Sequence, residues 1–315
     1  MSDRRPGRCA ALPDLQPWFA THTHAASAPL GDLVAAKRGR RVGVVLPARD
    51  EATTIGEIVR RVRTAWCDLV PLVDEVVVVD SRSSDDTAAA AREAGAVVVT
   101  AEDPDPAFDG GKGSAMRTGM AHLTSDVGVF LDADVRGFDP AFVARLVGPL
   151  LTDPSLVLVK AFYDRPTHDG GGGRVTELAA RPEIARRAPE LAGFVQPLAG
   201  ECAFVLDAFV DLPVVSGYGV DVGMLLQAVR KHGLDATAQA DLGRREHDHQ
   251  GLRALGRMAL QVRAAFDLVL DDRDVVVDER WVPGRDADGA ATLVAERVET
   301  RLLPPPGAGA TSSTS

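Results

Sequence analysis

The chain has 315 residues, 45% hydrophobic and 25% charged, enough to bury one large core or two small ones. Its net charge of −10 at pH 7 excludes a general attraction to nucleic acid or anionic lipid, so an anionic substrate has to be met by a local basic patch or a metal. No apolar run reaches spanning length, and Cys9, Cys67 and Cys202 are few and far apart, which points to the cytoplasm rather than to a membrane or an oxidising compartment.

Residues 1–40 are rich in Ala, Pro and Arg, carry little periodicity and read as an N-terminal extension. An alternation of strands and helices follows. RVGVVLPA (41–48) reads as a strand, TTIGEIVRRVRTAW (53–66) as an amphipathic helix and EVVVVDS (75–81) as a second strand. SSDDTAAAAREAG (83–95) is a helix with Ser and Asp at a capped start and Gly95 at its stop. AVVVT (96–100), GSAMRTGMAHLTS (113–125) and DVGVFLDAD (126–134) continue as strand, helix and strand. The strands are Val-rich and apolar on both faces, as a parallel sheet covered by helices requires. Residues 41–150 therefore form a βαβ-type nucleotide-binding unit.

Residues 151–270 are less regular. LVLVKAFY (156–163) is a strand, and GGGGRVTEL (170–178) is a glycine-rich loop entering a helix. ECAFVLDAF (201–209) reads as a strand, YGVDVGMLLQAVRKHG (218–233) as a helix, DATAQADLG (235–243) as a strand and LRALGRMALQVRAAFDLVL (252–270) as a long helix. Residues 271–303, with VVVDERW and TLVAERVETRLL, form an extension that crosses the domain or meets another subunit. PPPGAGATSSTS (304–315) reads as a disordered tail.

Four segments sit just after strands, where such sheets bind ligands: 48–51, 80–81, 132–134 and the His-Asp-His at 247–249. Asp132 and Asp134 flank one alanine at a strand end, a pattern suited to Mg²⁺ or Mn²⁺ bridging to substrate phosphates. The plain alternative is a capped turn beside a solvated acid. GGKGSAMRTG (110–119) fails the Walker pattern, since Gly follows Lys112, yet a lysine at a glycine-rich helix start can hold a diphosphate. In GGGGR (170–174) the glycines allow close backbone approach, Arg174 offers a bidentate fork and Thr176 a hydroxyl, so phosphate or carboxylate is the natural guest and a flexible linker the rival. His247 and His249 can face one way and supply a metal ligand, or stand as surface histidines.

Taken in order, VVLPARDEATTIGEIV, VVDSRSSDDTAAAAREAGA, GGKGSAM and VFLDADV resemble the GT-A glycosyltransferases. LVKAFYDRP, GGGGRVTELAARP, QPLAGE, GYGVDVG and the final histidine resemble, within them, the retaining glucosyl-3-phosphoglycerate synthases of actinobacteria. The likeness runs from about Arg41 to Gln261. It implies an α/β, Rossmann-like GT-A fold, with a mostly parallel sheet and an acceptor-binding second half. It also implies transfer of glucose from UDP-glucose to the 2-hydroxyl of 3-phosphoglycerate, with Mg²⁺ or Mn²⁺ as cofactor, in a homodimer. By position, Leu46, Pro47, Ala48, Glu51 and Ser81 would hold uracil and ribose, with Lys112 near base and phosphates. Asp132 and Ala133 would also face the donor. Asp134 and His247 would bind the metal. Asp221 would hold the glucose hydroxyls, and the Leu198 carbonyl would orient the acceptor hydroxyl. Gly172, Gly173, Arg174, Thr176 and His249 would take the acceptor.

Three positions depart from that pattern: Asp221 where glutamate is usual, His249 where asparagine is usual, and ARDE in place of A-L-N-E. They bear on donor and acceptor selectivity, since hydroxyl recognition depends on polar groups placed to hydrogen-bond distance. The alternative functions are a mannosyl-3-phosphoglycerate synthase or a related transferase with another small anionic acceptor. From another class, a non-catalytic sugar-nucleotide sensor would bind without turnover.

Overall fold

The valine runs form strands because their β-branched side chains pack well on a pleated surface. The computed structural model describes residues 13–25, 29–102, 110–164, 173–244, 251–285, 288 and 291–309. Its strands are β1 (Thr23–His24), β2 (Val42–Ala48), β3 (Glu75–Asp80), β4 (Val97–Thr100), β5 (Val127–Phe130), β6 (Leu158–Asp164), β7 (Cys202–Val205), β8 (Val214–Val215), β9 (Thr237–Arg244), β10 (Val275–Arg285) and β11 (Ala291–Leu303). Eight of them make one sheet in the order β1-β9-β6-β7-β5-β2-β3-β4. Within it β7 runs antiparallel to both neighbours, and every other pairing is parallel.

Side chains of a strand alternate between faces, and the core divides accordingly. Val44 and Leu46 point into one layer with the helices Ile55–Arg63 and Ala141–Thr152. Val45 points into the other, with Gly111–His122, Val220–His232 and Leu252–Leu270. The sheet is thus covered on both sides, as its apolar strands require. At the outer edge the expectation of burial fails. β4 has a neighbour on one side only, and Val97 is exposed.

Several elements depart from the sequence reading. The helix begun at Ile55 ends at Arg63 and loosens into a wider π-type turn, Thr64–Leu69. ECAFVLDAF divides into β7 and a short helix, Leu206–Phe209. Asp86 precedes the helix Thr87–Glu93 without a side-chain cap; Asp85 instead accepts the Thr87 N–H at 3.0 Å. The N-terminal extension is built into the fold, since β1 pairs with β9 and Trp18 is buried against Phe194. Residues 271–303 contain a long antiparallel hairpin, β10–β11, whose far end pairs with β8 through Leu302 and Leu303. The start of the expected disordered tail is held in place: the Pro304 carbonyl accepts from Arg117 Nε at 2.7 Å, and the Gly307 N–H donates to the Val210 carbonyl. No helix among the described residues is long and apolar enough to cross a membrane.

Candidate active site

From β2 the chain winds outward through β3 and β4, then returns to place β5 on the other side of β2. Strand order reverses there. In open α/β sheets, the crevice outside the carboxyl ends at such a point binds ligands. β2 runs out at Ala48, β3 at Asp80 and β5 at Phe130, delivering 48–51, 80–81 and 132–134 to one edge. The strand holding Phe130 stops short of the acids, so Asp132 and Asp134 occupy the turn beyond it.

That edge is laced by short polar contacts. The Ser81 N–H donates to the Ala48 carbonyl at 2.8 Å, and Asp50, in the left-handed region at φ 58°, accepts from the Ser84 N–H at 2.7 Å. Asp85 accepts the Ala52 N–H, and Thr87 Oγ1 the Glu51 N–H at 2.8 Å. The Thr54 hydroxyl donates to the Ala133 carbonyl at 2.7 Å, tying the turn after β5 to the turn after β2. Glu51 titrates above the ordinary carboxylate range because burial disfavours its charge and Asp134 repels it. The two acids are therefore near neighbours, and Asp134 is exposed at the same edge.

Lys112 lies in the first turn of Gly111–His122, and its ammonium stands 3.2 Å from Asp132 Oδ1 and 3.2 Å from Asp221 Oδ2. Burial opposes its charge, but the two carboxylates outweigh it and hold the ammonium well above the ordinary lysine range. It is a fixed positive charge and not a proton carrier. Asp221 is itself buried, and its Oδ1 has no hydrogen-bond partner among the described residues. Glycine is required at two contacts around this pair. Gly217, at φ 61°, donates its N–H to the Gly110 carbonyl at 2.6 Å, so the GYG turn docks on the start of the lysine helix. At Gly200 an added Cβ would lie 2.1 Å from Lys112 Nζ and 2.6 Å from Asp132 Oδ1.

The expected donor residues thus converge, with one qualification. Leu46 is fully buried in the core, which leaves only its backbone to face a ligand. Pro47 and Ser81 are half-buried and Ala48 and Ala133 buried at the same edge. Leu198 is half-buried on the loop before β7 that also carries Gly200. Gly173, Arg174 and Thr176 open a helical stretch in which the Gly173 carbonyl accepts from the Glu177 N–H, Arg174 is exposed and Thr176 is buried. Gly172, His247 and His249 lie outside the described residues. Sequence reasoning did not single out Thr54, Thr87, Gly200 or Lys160, whose contacts join segments distant in the chain.

The donor set fits a small hard cation. Asp132, Asp134 and Glu51 offer carboxylate oxygen at one edge, and Mg²⁺ needs only one or two such ligands beside phosphate and water. Among the described residues no cluster of three or more His, Cys, Asp or Glu makes a complete protein cage.

The chain matches Glycosyl transferase family 2 over residues 43–206. It is 42% identical over 248 residues to the glucosyl-3-phosphoglycerate synthase of Mycolicibacterium paratuberculosis, covering 75% of this chain and 74% of that one. To that of Mycobacterium tuberculosis H37Rv it is 42% identical over 274 residues, covering 84% and 81%. The crystal structure of mannosyl-3-phosphoglycerate synthase from Rubrobacter xylanophilus matches with a TM-score of 0.82 at 36% identity, over 92% of this chain and 96% of that one. The M. tuberculosis glucosyl-3-phosphoglycerate synthase, solved with Mn²⁺, UDP-glucose and phosphoglyceric acid, matches with a TM-score of 0.75 at 37% identity, over 91% and 97%. Family motifs set around one switch point, and a matching fold, make the chain a glycosyltransferase: it belongs to glycosyl transferase family 2 and is a homologue of the glucosyl-3-phosphoglycerate synthases.

Proposed function

We propose that the protein transfers glucose from UDP-glucose to the 2-hydroxyl of 3-phosphoglycerate, with retention of configuration and dependence on Mg²⁺ or Mn²⁺. The observation that carries this reading is Lys112, a half-buried permanent cation held between Asp132 and Asp221 where the crevice opens. A departing nucleoside diphosphate develops negative charge, and a preorganised ammonium in a water-poor site stabilises it strongly. Asp134 with His247, beside Asp132, would hold the cation, which when bound supplies Lewis-acid stabilisation of the diphosphate. Asp221 holds Lys112 through Oδ2 and keeps Oδ1 for a sugar hydroxyl. The Leu198 carbonyl orients the acceptor hydroxyl, whose proton passes to a diphosphate oxygen as the bond to the donor breaks. Gly172, Gly173, Arg174, Thr176 and His249 take the acceptor's phosphate and carboxylate, as Arg geometry favours.

Mannose is the second donor sugar to consider. The fold matches a mannosyl-3-phosphoglycerate synthase, and Asp221 reaches one methylene less far than glutamate. A matrix of UDP-glucose, GDP-glucose, ADP-glucose and GDP-mannose, each with Mg²⁺ and with or without 3-phosphoglycerate, tests both. Acceptor-dependent UDP release with a glucosyl-phosphoglycerate mass is expected. Transfer from GDP-mannose alone would move the donor assignment, and binding without turnover would leave a sensor.

The hairpin bears on assembly. One of its faces exposes Val275, Val277, Trp281 and Leu293, with Glu279 opposite Arg297. An apolar ribbon with charges of both signs suits a second copy related by a two-fold axis. Light scattering of the wild type should give a dimer mass and Trp281→Arg a monomer; a monomeric wild type would refute this.

A further inference from the structure

β6 carries a lysine at the centre of an apolar strand. Lys160 is 1% exposed, among the largest wholly buried side chains of the protein. Burying an ammonium is costly unless its hydrogens are met, and a core position among valines and alanines would ordinarily hold leucine or methionine. Here the ammonium donates to the carbonyl of Ala199 and, at 3.0 Å, to the carbonyl of Asp221. Those carbonyls belong to separate stretches of chain, the 196–201 loop and the first turn of Val220–His232.

Both stretches meet Lys112 from the other side. Asp221 pairs with Lys112 through its side chain while its backbone oxygen is held by Lys160. Ala199 shares its peptide plane with Gly200, the residue whose missing Cβ leaves room for Lys112 Nζ and Asp132. On its other flank is Leu198. Fixing the Ala199 carbonyl therefore fixes the wall against which Lys112 rests and the carbonyl assigned to the acceptor. Cys202, which faces Lys160 across the β6–β7 pairing, senses the same neighbourhood: burial pushes its thiol up to about 11, with Lys160, Asp221, Lys112 and Asp132 as the charges acting on it.

We propose that Lys160 is a positioning residue for the transfer reaction, a buried cation that sets the spacing between the Leu198–Gly200 wall and Asp221 and so holds Lys112 and the acceptor hydroxyl in register. It touches no substrate. This rests on the transferase reading given above. Its loss should weaken nucleotide binding little, since uracil and ribose draw on the turns after β2 and β3, while spoiling the alignment of donor and acceptor.

The test uses Lys160→Met, which keeps an unbranched stem as far as Cε and removes the ammonium with its charge and donors, beside Cys202→Ala, a core truncation at the paired position. Three quantities are read: the Kd for UDP with Mn²⁺, kcat for transfer, and the ratio of acceptor-dependent transfer to donor hydrolysis without acceptor. Lys160→Met should lower kcat about 100-fold, as displacements near 1 Å do, with the UDP Kd within about 3-fold of wild type and the transfer-to-hydrolysis ratio down about 10-fold. Cys202→Ala should lower Tm and leave kcat and the ratio within about 2-fold. If Lys160→Met does not fold, Lys160→Gln, with two donors on a shorter arm, carries the same expectation at smaller size. A folded Lys160 variant with wild-type kcat and ratio, or a Cys202→Ala variant showing the same loss of ratio, overturns the proposal. A wild-type protein that transfers nothing to 3-phosphoglycerate sinks the function reading instead, a different result.

Discussion

Gly200→Ala is the sharpest perturbation of the proposed chemistry. The backbone at Gly200 is not in the left-handed region, so alanine brings no conformational strain of its own. Its nearest obstacles are the ammonium 2.1 Å away and the Asp132 carboxylate, with Oδ1 at 2.6 Å. Reaching an ordinary contact near 3.4 Å moves Nζ by roughly 1.3 Å, and Nζ is held in two pairs of 3.2 Å that cannot both follow. Misplacing a preorganised charge by this much costs about 10²- to 10³-fold in kcat, or about 2.7–4 kcal/mol of transition-state stabilisation. The assay is initial-rate transfer on four proteins: wild type, Gly200→Ala, Lys112→Ala and the double variant. With the lysine cut back, the new methyl meets only the Asp132 carboxylate of these neighbours and no longer displaces the ammonium, so Gly200→Ala should cost less in that background. Strong coupling in the cycle is the expected result. Additive losses, or a Gly200→Ala enzyme as fast as wild type, would show that Lys112 does not act from the place described.

Other consequences can be checked alongside. Because the folded-state pKa of Glu51 is raised, its charge opposes folding once pH exceeds the ordinary carboxylate value. Glu51→Gln should therefore raise the Tm of the ligand-free protein at neutral pH, lose that advantage in acid, and weaken UDP–Mn²⁺ binding; an unchanged or lower neutral Tm counts against the site's crowding. Asp85 behaves oppositely. The Thr87 hydroxyl and the Ala52 and Thr87 N–H groups depress its pKa, so its contribution is complete above the unfolded value near 4 and is lost as pH falls through the folded one. Asp85→Asn should flatten the acid limb of the stability curve, measured by urea melts; a limb as steep as wild type would contradict this. Asp221→Glu, which extends the carboxylate by one methylene, should change the kcat/KM ratio of UDP-glucose to GDP-mannose about 10-fold. An unaltered ratio would remove Asp221 from sugar recognition.

What the sequence disclosed depended on how local the signal is. The strands of the first half were legible because runs of valine state both element and burial, and the acids at 132 and 134 because they sit one residue apart at a strand end. The helix Ala141–Thr152 escaped notice because it is apolar nearly all round and contains Pro149, so neither period nor composition marks it. The hairpin was obscured by mixed faces: β10 alternates cleanly in burial, but Val275, Val277 and Trp281 fall on the exposed side and Val276 and Val282 on the half-buried one. At the site, Lys112 was visible through its glycines, whereas its partner Asp221 lies 109 residues away. The same holds for Thr54 and Ala133, 79 residues apart, and for Lys160, which reads from sequence as a blemish in a hydrophobic strand. Contacts of that range are set by the sheet order, and no window along the chain contains them.

The pairing of β11 with β8 bears on how the enzyme comes into being. The Ser216 N–H donates to the Arg301 carbonyl and the Arg301 N–H to Ser216 Oγ, and the next residue, Gly217, seats the lysine helix. A nascent chain can form β2 through β5 and their turns while still being synthesised, but the frame around Lys112 closes only when residues 301–303 have left the ribosome. Nucleotide affinity should therefore arise before turnover does during synthesis.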